Sequence, residues 1–405
     1  MALFNRRNFI RTGLLTGTGA ALSTGNLSAK PAEKTLNEIG KSKWELDSPA
    51  LCVDLDKLEK NIATAQSGAK AMGIGVRPHI KTHKCPAIAH RQLKAGAIGV
   101  CAAKLGESIV MLENGIENVL MTGVNVTVPK INRAMEYRKK YAGFIQAVDS
   151  PQNARDLNDA AKAMGIVADV VVDLDVIKRS GIPNGPQALA LAQLVDKLPN
   201  LKFRGILAYD GMNQHVKGFQ NRRVAALKNY EPVVESYNLM KAAGLNLEIF
   251  SGGGTGTYNI MGEVNGFTDV QVGSYVFMDL QYMQAGGKNN EKVYDDFESS
   301  LTVLTTVINT NFPGRITTDA GSKALTLNKP NPFVIGEPGF DYAAGSDEYG
   351  MISYTSINKS YKIGDKLELI IPHCDPAVNE YDVMYGTRND KVVEILPILG
   401  RGKGA

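Results

Sequence analysis

From Gly75 onward, short β-rich runs alternate with amphipathic helical stretches at intervals that suit strand–helix units, and this alternation narrows the possible folds more than any other feature. Strands are predicted at Gly75–Ile80, Ile98–Cys101, Asn118–Thr122, Gly143–Val148, Ala168–Leu174, Lys202–Ala208, Leu245–Phe250 and Asp269–Val272. Helices are predicted between them at Pro86–Ala95, Gly106–Glu113, Pro129–Lys140, Pro151–Ala163, Gln187–Lys197 and Phe219–Ala243. Several open on proline, whose fixed φ suits a first helical turn. Eight parallel units close naturally into a (β/α)8 TIM barrel, so the expected class is α/β. A predicted helix Leu58–Met72 precedes the series, and the predicted strand Ala50–Leu55 before it belongs to a different sheet. After about Phe297 the pattern changes. Leu301–Ile308, Phe333–Ile335, Tyr349–Thr355, Lys366–Ile371 and Lys391–Leu396 read as strands separated by turn residues, which predicts a C-terminal β-domain.

A chain of 405 residues is too long for one simple core, and a barrel with an appended domain fits that length. The expected division is a leader at 1–29, a barrel over 50–295, and a β-domain built from 30–49 with 296–405. The leader reading rests on Arg6-Arg7-Asn8-Phe9-Ile10, a short apolar run from Gly13 to Leu22, and the small-residue site Leu27-Ser28-Ala29. That order is a twin-arginine export signal, which implies a periplasmic destination for an already folded, often cofactor-loaded protein. The apolar run is too short and too interrupted to span a bilayer. Residues 1–29 hold Arg6, Arg7, Arg11 and no acid, so cleavage after Ala29 lowers the formal net charge from +4 to +1. No nucleic-acid footprint follows from such a balance. Cys52, Cys85, Cys101 and Cys374 show no paired short spacing, and Cys52 and Cys101, in apolar strand-like runs, are expected as buried free thiols.

Only five histidines occur, so their positions carry information. Two lie in Arg77-Pro78-His79-Ile80-Lys81-Thr82-His83-Lys84, at the C-terminal end of the first predicted barrel strand, where barrel enzymes carry their catalytic groups. A lysine there meets the barrel mouth, where desolvation and neighbouring cations are expected to lower its pKa and make it nucleophilic toward an aldehyde. Taken alone, the run also fits a solvated basic loop. Ser251-Gly252-Gly253-Gly254-Thr255-Gly256 follows the seventh strand, and the eighth ends in Val272-Gly273-Ser274-Tyr275. Gly-containing turns at these two places match the recurrent phosphate site of such barrels. In Pro372-His373-Cys374-Asp375-Pro376 an extended backbone would turn His373 and Asp375 to one side and Cys374 to the other. One imidazole and one carboxylate suit Mn²⁺, Mg²⁺ or Zn²⁺, although a structural histidine explains the pair equally well in isolation. Arg179, past the fifth strand, and Tyr209 with His215, past the sixth, would face the same mouth.

Together these residues resemble the D-threonine aldolase and D-serine dehydratase family, whose N-terminal half is an alanine-racemase-like barrel binding pyridoxal 5'-phosphate (PLP). The resemblance spans roughly residues 46–400 and is ordered across several motifs. It implies that Lys81 carries the cofactor, with His79 beside it, and that Arg179 faces the pyridine nitrogen. It further implies that Gly253, Gly254, Thr255, Gly273 and Ser274 hold the phosphate, that Tyr275 is also among the cofactor-binding residues, and that Tyr209 and His215 line the substrate side. Family dehydratases use His-x-Cys at the metal and aldolases His-x-Asp, so His373 and Asp375 favour D-threonine cleavage to glycine and acetaldehyde, although a shifted register could bring Cys374 to the metal. A D-serine or D-3-hydroxyaspartate dehydratase is the alternative. A non-catalytic PLP carrier is a third reading, against which the C-terminal β-domain and the metal motif argue. The family resemblance also implies a homodimer.

Overall fold

The computed structural model describes residues 37–356 and 359–404, and the expected export leader lies outside them. Strand β1 (Ala50–Asp54) leads directly into a helix, Leu55–Ala71, whose first N–H groups are capped by the Asp54 carboxylate. The barrel strands follow as β2 (Gly75–Val76), β3 (Val100–Ala102), β4 (Val119–Met121), β5 (Phe144–Val148), β6 (Ala168–Asp173), β7 (Leu201–Ala208), β8 (Ile249–Gly252) and β9 (Asp269–Val270). All pair in parallel, in the order β2-β9-β8-β7-β6-β5-β4-β3. The ring closes between the β2 segment and β3 through Ile98 N to Val76 O, Cys101 N to Pro78 O and Ile80 N to Cys101 O, at 2.8–3.0 Å. Pro78 has no N–H to give, so the first strand is shorter than predicted while its path continues.

Alternation along the strands divides the core. Cys101, Leu120, Ile145, Ala147, Val171, Leu207 and Ile249 fill the barrel interior. Their neighbours Val100, Ala102, Val119 and Met121 face outward under Ile109 and Met111 of the helix Leu105–Glu113. The outer helices Pro86–Lys94, Val128–Lys140, Pro151–Ala163 and Pro186–Lys197 each carry proline in the first turn, as expected. The junction into the seventh barrel strand differs from prediction. The chain leaves the helix Phe219–Ala242 by folding Leu245 N back onto Met240 O, so β8 begins at Ile249 and runs into Gly252.

The second sheet contains β1 with β10 (Leu301–Asn309), β11 (Arg315–Thr318), β12 (Phe333–Val334), β13 (Asp341–Ala344), β14 (Gly350–Ser353), β15 (Lys366–Ile370), β16 (Val383–Arg388) and β17 (Lys391–Pro397). Its main path is β13-β14-β11-β10-β1-β16-β17, with β15 bridging β10 and β12. β1 is therefore inserted between two C-terminal strands, antiparallel to β10 and parallel to β16, as its assignment to a different sheet anticipates. All four cysteines are free and buried.

Candidate active site

The first barrel strand ends in a tight turn that several contacts hold at the mouth. Arg77 forms a buried ion pair with Asp269 on β9, Nε to Oδ1 3.0 Å. Lys84, in the left-handed region at φ 50, extends to Glu107, Nζ to Oε1 2.6 Å, while the other oxygen of Glu107 accepts the N–H groups of Ala103 and Lys104. Between these anchors Lys81 enters a cavity of about 430 Å³ whose lining includes His79, Asp173, Arg179, Tyr209 and Gln271. Lys81 Nζ lies 3.1 Å from Asp375 Oδ2, and Thr82 Oγ1 donates to Asp375 Oδ1 at 2.7 Å. The charge of Asp375 outweighs burial and raises the Lys81 pKa, opposite to the lowering expected from neighbouring cations. Burial pushes His79 down to about 3 and His83 to about 4, so both imidazoles are neutral. Burial also raises the Asp173 carboxyl to about 7.

The turns after β8 and β9 meet on one side of this mouth. Gly253 has φ +60, and a Cβ there would strike Met261 Cγ at 2.6 Å, so the position requires glycine. Its N–H is taken by the Tyr230 hydroxyl, and that of Gly254 by Thr257 Oγ1. Among the described residues no protein acceptor takes the N–H of Thr255, Gly273 or Ser274. A Cβ on Gly273 would come within 2.7 Å of Thr82 Oγ1. Tyr275 does not share this cradle. Its N–H is bound by Thr255 Oγ1, and its hydroxyl accepts from Gln92 Nε2 in the core.

The segment from His373 departs from the extended form predicted for it. Only His373 is extended; Cys374–Val378 is a short helix, and Pro376 suits its first turn. Cys374 consequently does not face away: its thiol, His373 and Asp279 bring potential ligand atoms within 4.8 Å of one another. Burial together with Asp279 and Asp375 keeps that thiol protonated. His373 Nδ1 donates to Asp279 Oδ2 at 2.8 Å. Burial works against a charged imidazole, yet Asp279 and Asp375 raise the His373 pKa overall. Desolvation works against the charge of the half-buried Asp375, but Lys81, His373 and Thr82 hold it ionised, well below the usual carboxylate range.

The remaining predicted residues occupy the rim. The Arg179 guanidinium lies 5.1 Å from the centroid of the Tyr209 ring. His215 ends a turn, Asn213–His215, with its ring 4.2 Å from that of Tyr282, and the surrounding protein lowers its pKa. Two residues at the centre of these contacts, Thr82 and Asp279, were not identified from sequence. Thr82 borders the lysine run, and Asp279 caps the short helix Leu280–Met283, but neither signal points to a partner.

A parallel eight-stranded barrel with a lysine at the end of its first strand, free amide donors after its last two and an appended β-sheet defines an alanine-racemase-like protein. The chain belongs to the family described as alanine racemase, N-terminal domain, which matches residues 53–281. A serine dehydratase domain matches residues 300–387. The chain is 34% identical over 368 residues to a 3-hydroxy-D-aspartate aldolase of Paracoccus denitrificans, covering 90% of this chain and 95% of that protein. It is 33% identical over 359 residues to a D-threonine aldolase of an Arthrobacter species, covering 88% and 93%. The D-threonine aldolase structure from Filomicrobium marinum superposes with a TM-score of 0.85 at 33% identity, over 90% of this chain and 98% of that one.

Proposed function

We propose that the protein is a PLP- and divalent-metal-dependent lyase acting on D-3-hydroxy amino acids, and that its reaction is the aldol cleavage of D-threonine to glycine and acetaldehyde. The observation that carries this reading is the 3.1 Å approach of Lys81 Nζ to Asp375 Oδ2, which joins the lysine of the barrel to the His-x-Asp motif of the β-domain. The residues fit PLP. Amide N–H groups of Thr255, Gly273 and Ser274 remain for a phosphate, and Gly273 lies against Thr82, the residue after Lys81. His373 and Asp375 fit a hard or borderline divalent ion such as Mn²⁺, Mg²⁺ or Zn²⁺. When bound, PLP supplies an electron sink for bond breaking at Cα, and the ion supplies positive charge at the substrate 3-oxygen.

The chain's own residues then set the outcome. Lys81 is the residue that would hold the cofactor, through its side-chain amine. Arg179, a permanent cation in the cavity wall, would face the cofactor nitrogen and disfavour a proton there. His215, with its pKa lowered, is a neutral base for the 3-hydroxyl proton, and loss of that proton drives cleavage of the Cα–Cβ bond. Tyr209 closes the substrate side under Arg179. In the dehydratase alternative the same residues serve, but the base takes the α-proton and hydroxide leaves.

A second substrate is favoured by the cavity's charge. Lys104 and Lys130 line it, and neither has a carboxylate partner among the described residues. One cation accommodates the α-carboxylate, and the other suits a side-chain carboxylate such as that of 3-hydroxy-D-aspartate.

The test is to incubate purified protein and Mn²⁺ with D-threonine, 3-hydroxy-D-aspartate and D-serine, assaying glycine plus aldehyde against keto acid. Keto acid alone rejects aldol cleavage. No product and no change in visible absorbance with any D-amino acid supports a cofactor carrier instead. Borohydride reduction followed by peptide mass spectrometry is expected to find the pyridoxyl group on Lys81. Residues 1–29 are proposed as a twin-arginine leader to the periplasm, tested by cell fractionation of wild type and an Arg6→Lys/Arg7→Lys variant. A homodimer is proposed for the mature chain, tested by light scattering.

A further inference from the structure

We propose that Asp279 is a positioning residue that presents His373 to the metal through Nε2, and that Asp279 is not itself a ligand. The inference rests on the metal site proposed above. Asp279 has a side chain with 0% exposure, and three donors converge on its carboxylate. Oδ2 accepts from His373 Nδ1 at 2.8 Å and from Cys374 N at 2.9 Å, and Oδ1 accepts from Tyr282 N at 3.2 Å. With Nδ1–H committed to Asp279, the free lone pair of the neutral imidazole is on Nε2, the opposite edge of the ring.

The three potential ligand atoms clustered around Asp279 could suggest a cation held between them. Such an ion would have to displace the proton of His373 Nδ1, and with it the 2.8 Å hydrogen bond to the buried Asp279 carboxylate, and take the proton from a buried thiol. The donors point instead to a support role, in which the carboxylate fixes the tautomer and ring orientation of a ligand. The backbone is built to aim it. Met278 adopts φ 52, a conformation that disfavours most side chains, immediately before Asp279, and its N–H bonds back to Ser274 O at 2.7 Å. After Asp279, Leu280 N and Gln281 N donate to Ile371 O and Pro372 O, the two residues preceding His373.

Zn²⁺ affinity of the purified full-length protein, measured by competition with a chromophoric chelator, tests the assignment in a double-mutant cycle. Asp279→Ala is expected to weaken Zn²⁺ binding about 10- to 100-fold. In the presence of His373→Ala it is expected to cause no further loss, because its effect passes through that ring. Asp279→Asn, which keeps an oxygen to accept from Nδ1–H, is expected to recover part of the affinity, and it carries the same cycle should the alanine variant fail to fold. Losses that add in the double variant make Asp279 a ligand and overturn the proposal. Unchanged affinity in folded Asp279→Ala and Asp279→Asn also overturns it while leaving the metal site intact. A wild-type protein that binds no Zn²⁺ overturns both readings.

Discussion

Replacing Thr82 by valine keeps the shape of a fully buried side chain and deletes one hydrogen bond, the 2.7 Å contact from Oγ1 to Asp375 Oδ1. The acceptor is an ionised, half-buried carboxylate, so water replaces the lost donor only in part. A hydrogen bond to a charged group contributes about 1.5–3 kcal/mol. At about 1.36 kcal/mol per tenfold, that corresponds to about a 10- to 150-fold loss in whatever depends on a correctly oriented Asp375. Thr82→Ser is the matching control. It keeps the hydroxyl and removes one methyl, for which about 0.8 kcal/mol, or about a fourfold effect, is expected. The assay is Mn²⁺ dissociation, read from the electron paramagnetic resonance of the free ion, alongside the Mn²⁺ concentration that half-activates glycine release from D-threonine. Both are expected to shift strongly for valine and weakly for serine. Equal effects of the two substitutions, or a valine variant within twofold of wild type, would refute the role given to this contact.

Gly273→Ala drives a Cβ to within 2.7 Å of Thr82 Oγ1 and crowds one of the free amide donors, so PLP affinity is expected to fall at least about tenfold, measured by visible absorbance after dialysis. Lys130→Met removes a half-buried cation from the cavity wall. It is expected to lower kcat/KM for 3-hydroxy-D-aspartate about fivefold while leaving D-threonine within about twofold, which steady-state kinetics would decide. Asp173 has a folded pKa of about 7, above its unfolded value, so between about pH 4 and 7 the folded chain binds the extra proton. Its contribution to stability is full at low pH and is lost as pH rises toward 7, with a slope of at most about 1.4 kcal/mol per pH unit. Asp173→Asn is expected to gain stability over the cofactor-free wild type progressively from pH 4 to 7 and then level off; a gain independent of pH in denaturant melts would contradict this.

The barrel was readable because each of its units carries a local signal. Proline opens the outer helices, and alternation such as Val119-Leu120-Met121 assigns one face inward and the other outward. Those signals extend over a few residues, as do the contacts that produce them. Lys81 and the Gly-rich turns were found for the same reason, since their meaning follows from their place in the strand count. Strands β11 and β13, of four residues each, carry little local signal, and β16 is fixed by pairing with β1 more than three hundred residues away. Thr82 and Asp375 are separated by 293 residues, and His373 and Asp279 by 94, so no local pattern relates them. The lysine's charge state was misjudged for that reason: the expectation counted the ionisable groups near it in sequence, all basic, and the decisive carboxylate arrives from the short helix Cys374–Val378. The turn at Cys374 is a five-residue helix, too short for its periodicity to register, and it defeated an argument built on extended alternation.

The seam between residues 274–281 and 371–374 has a mechanical consequence. The stretch that leaves the phosphate-type turn at Ser274 is the same stretch that is stitched, amide by amide, to the run containing His373. On the reading proposed above, the phosphate end and the metal end of a bound molecule would therefore be set by one hydrogen-bonded brace rather than by two bodies free to hinge. A protein built this way can exchange the side chain just past the brace, at position 375, and leave the spacing that the brace sets untouched.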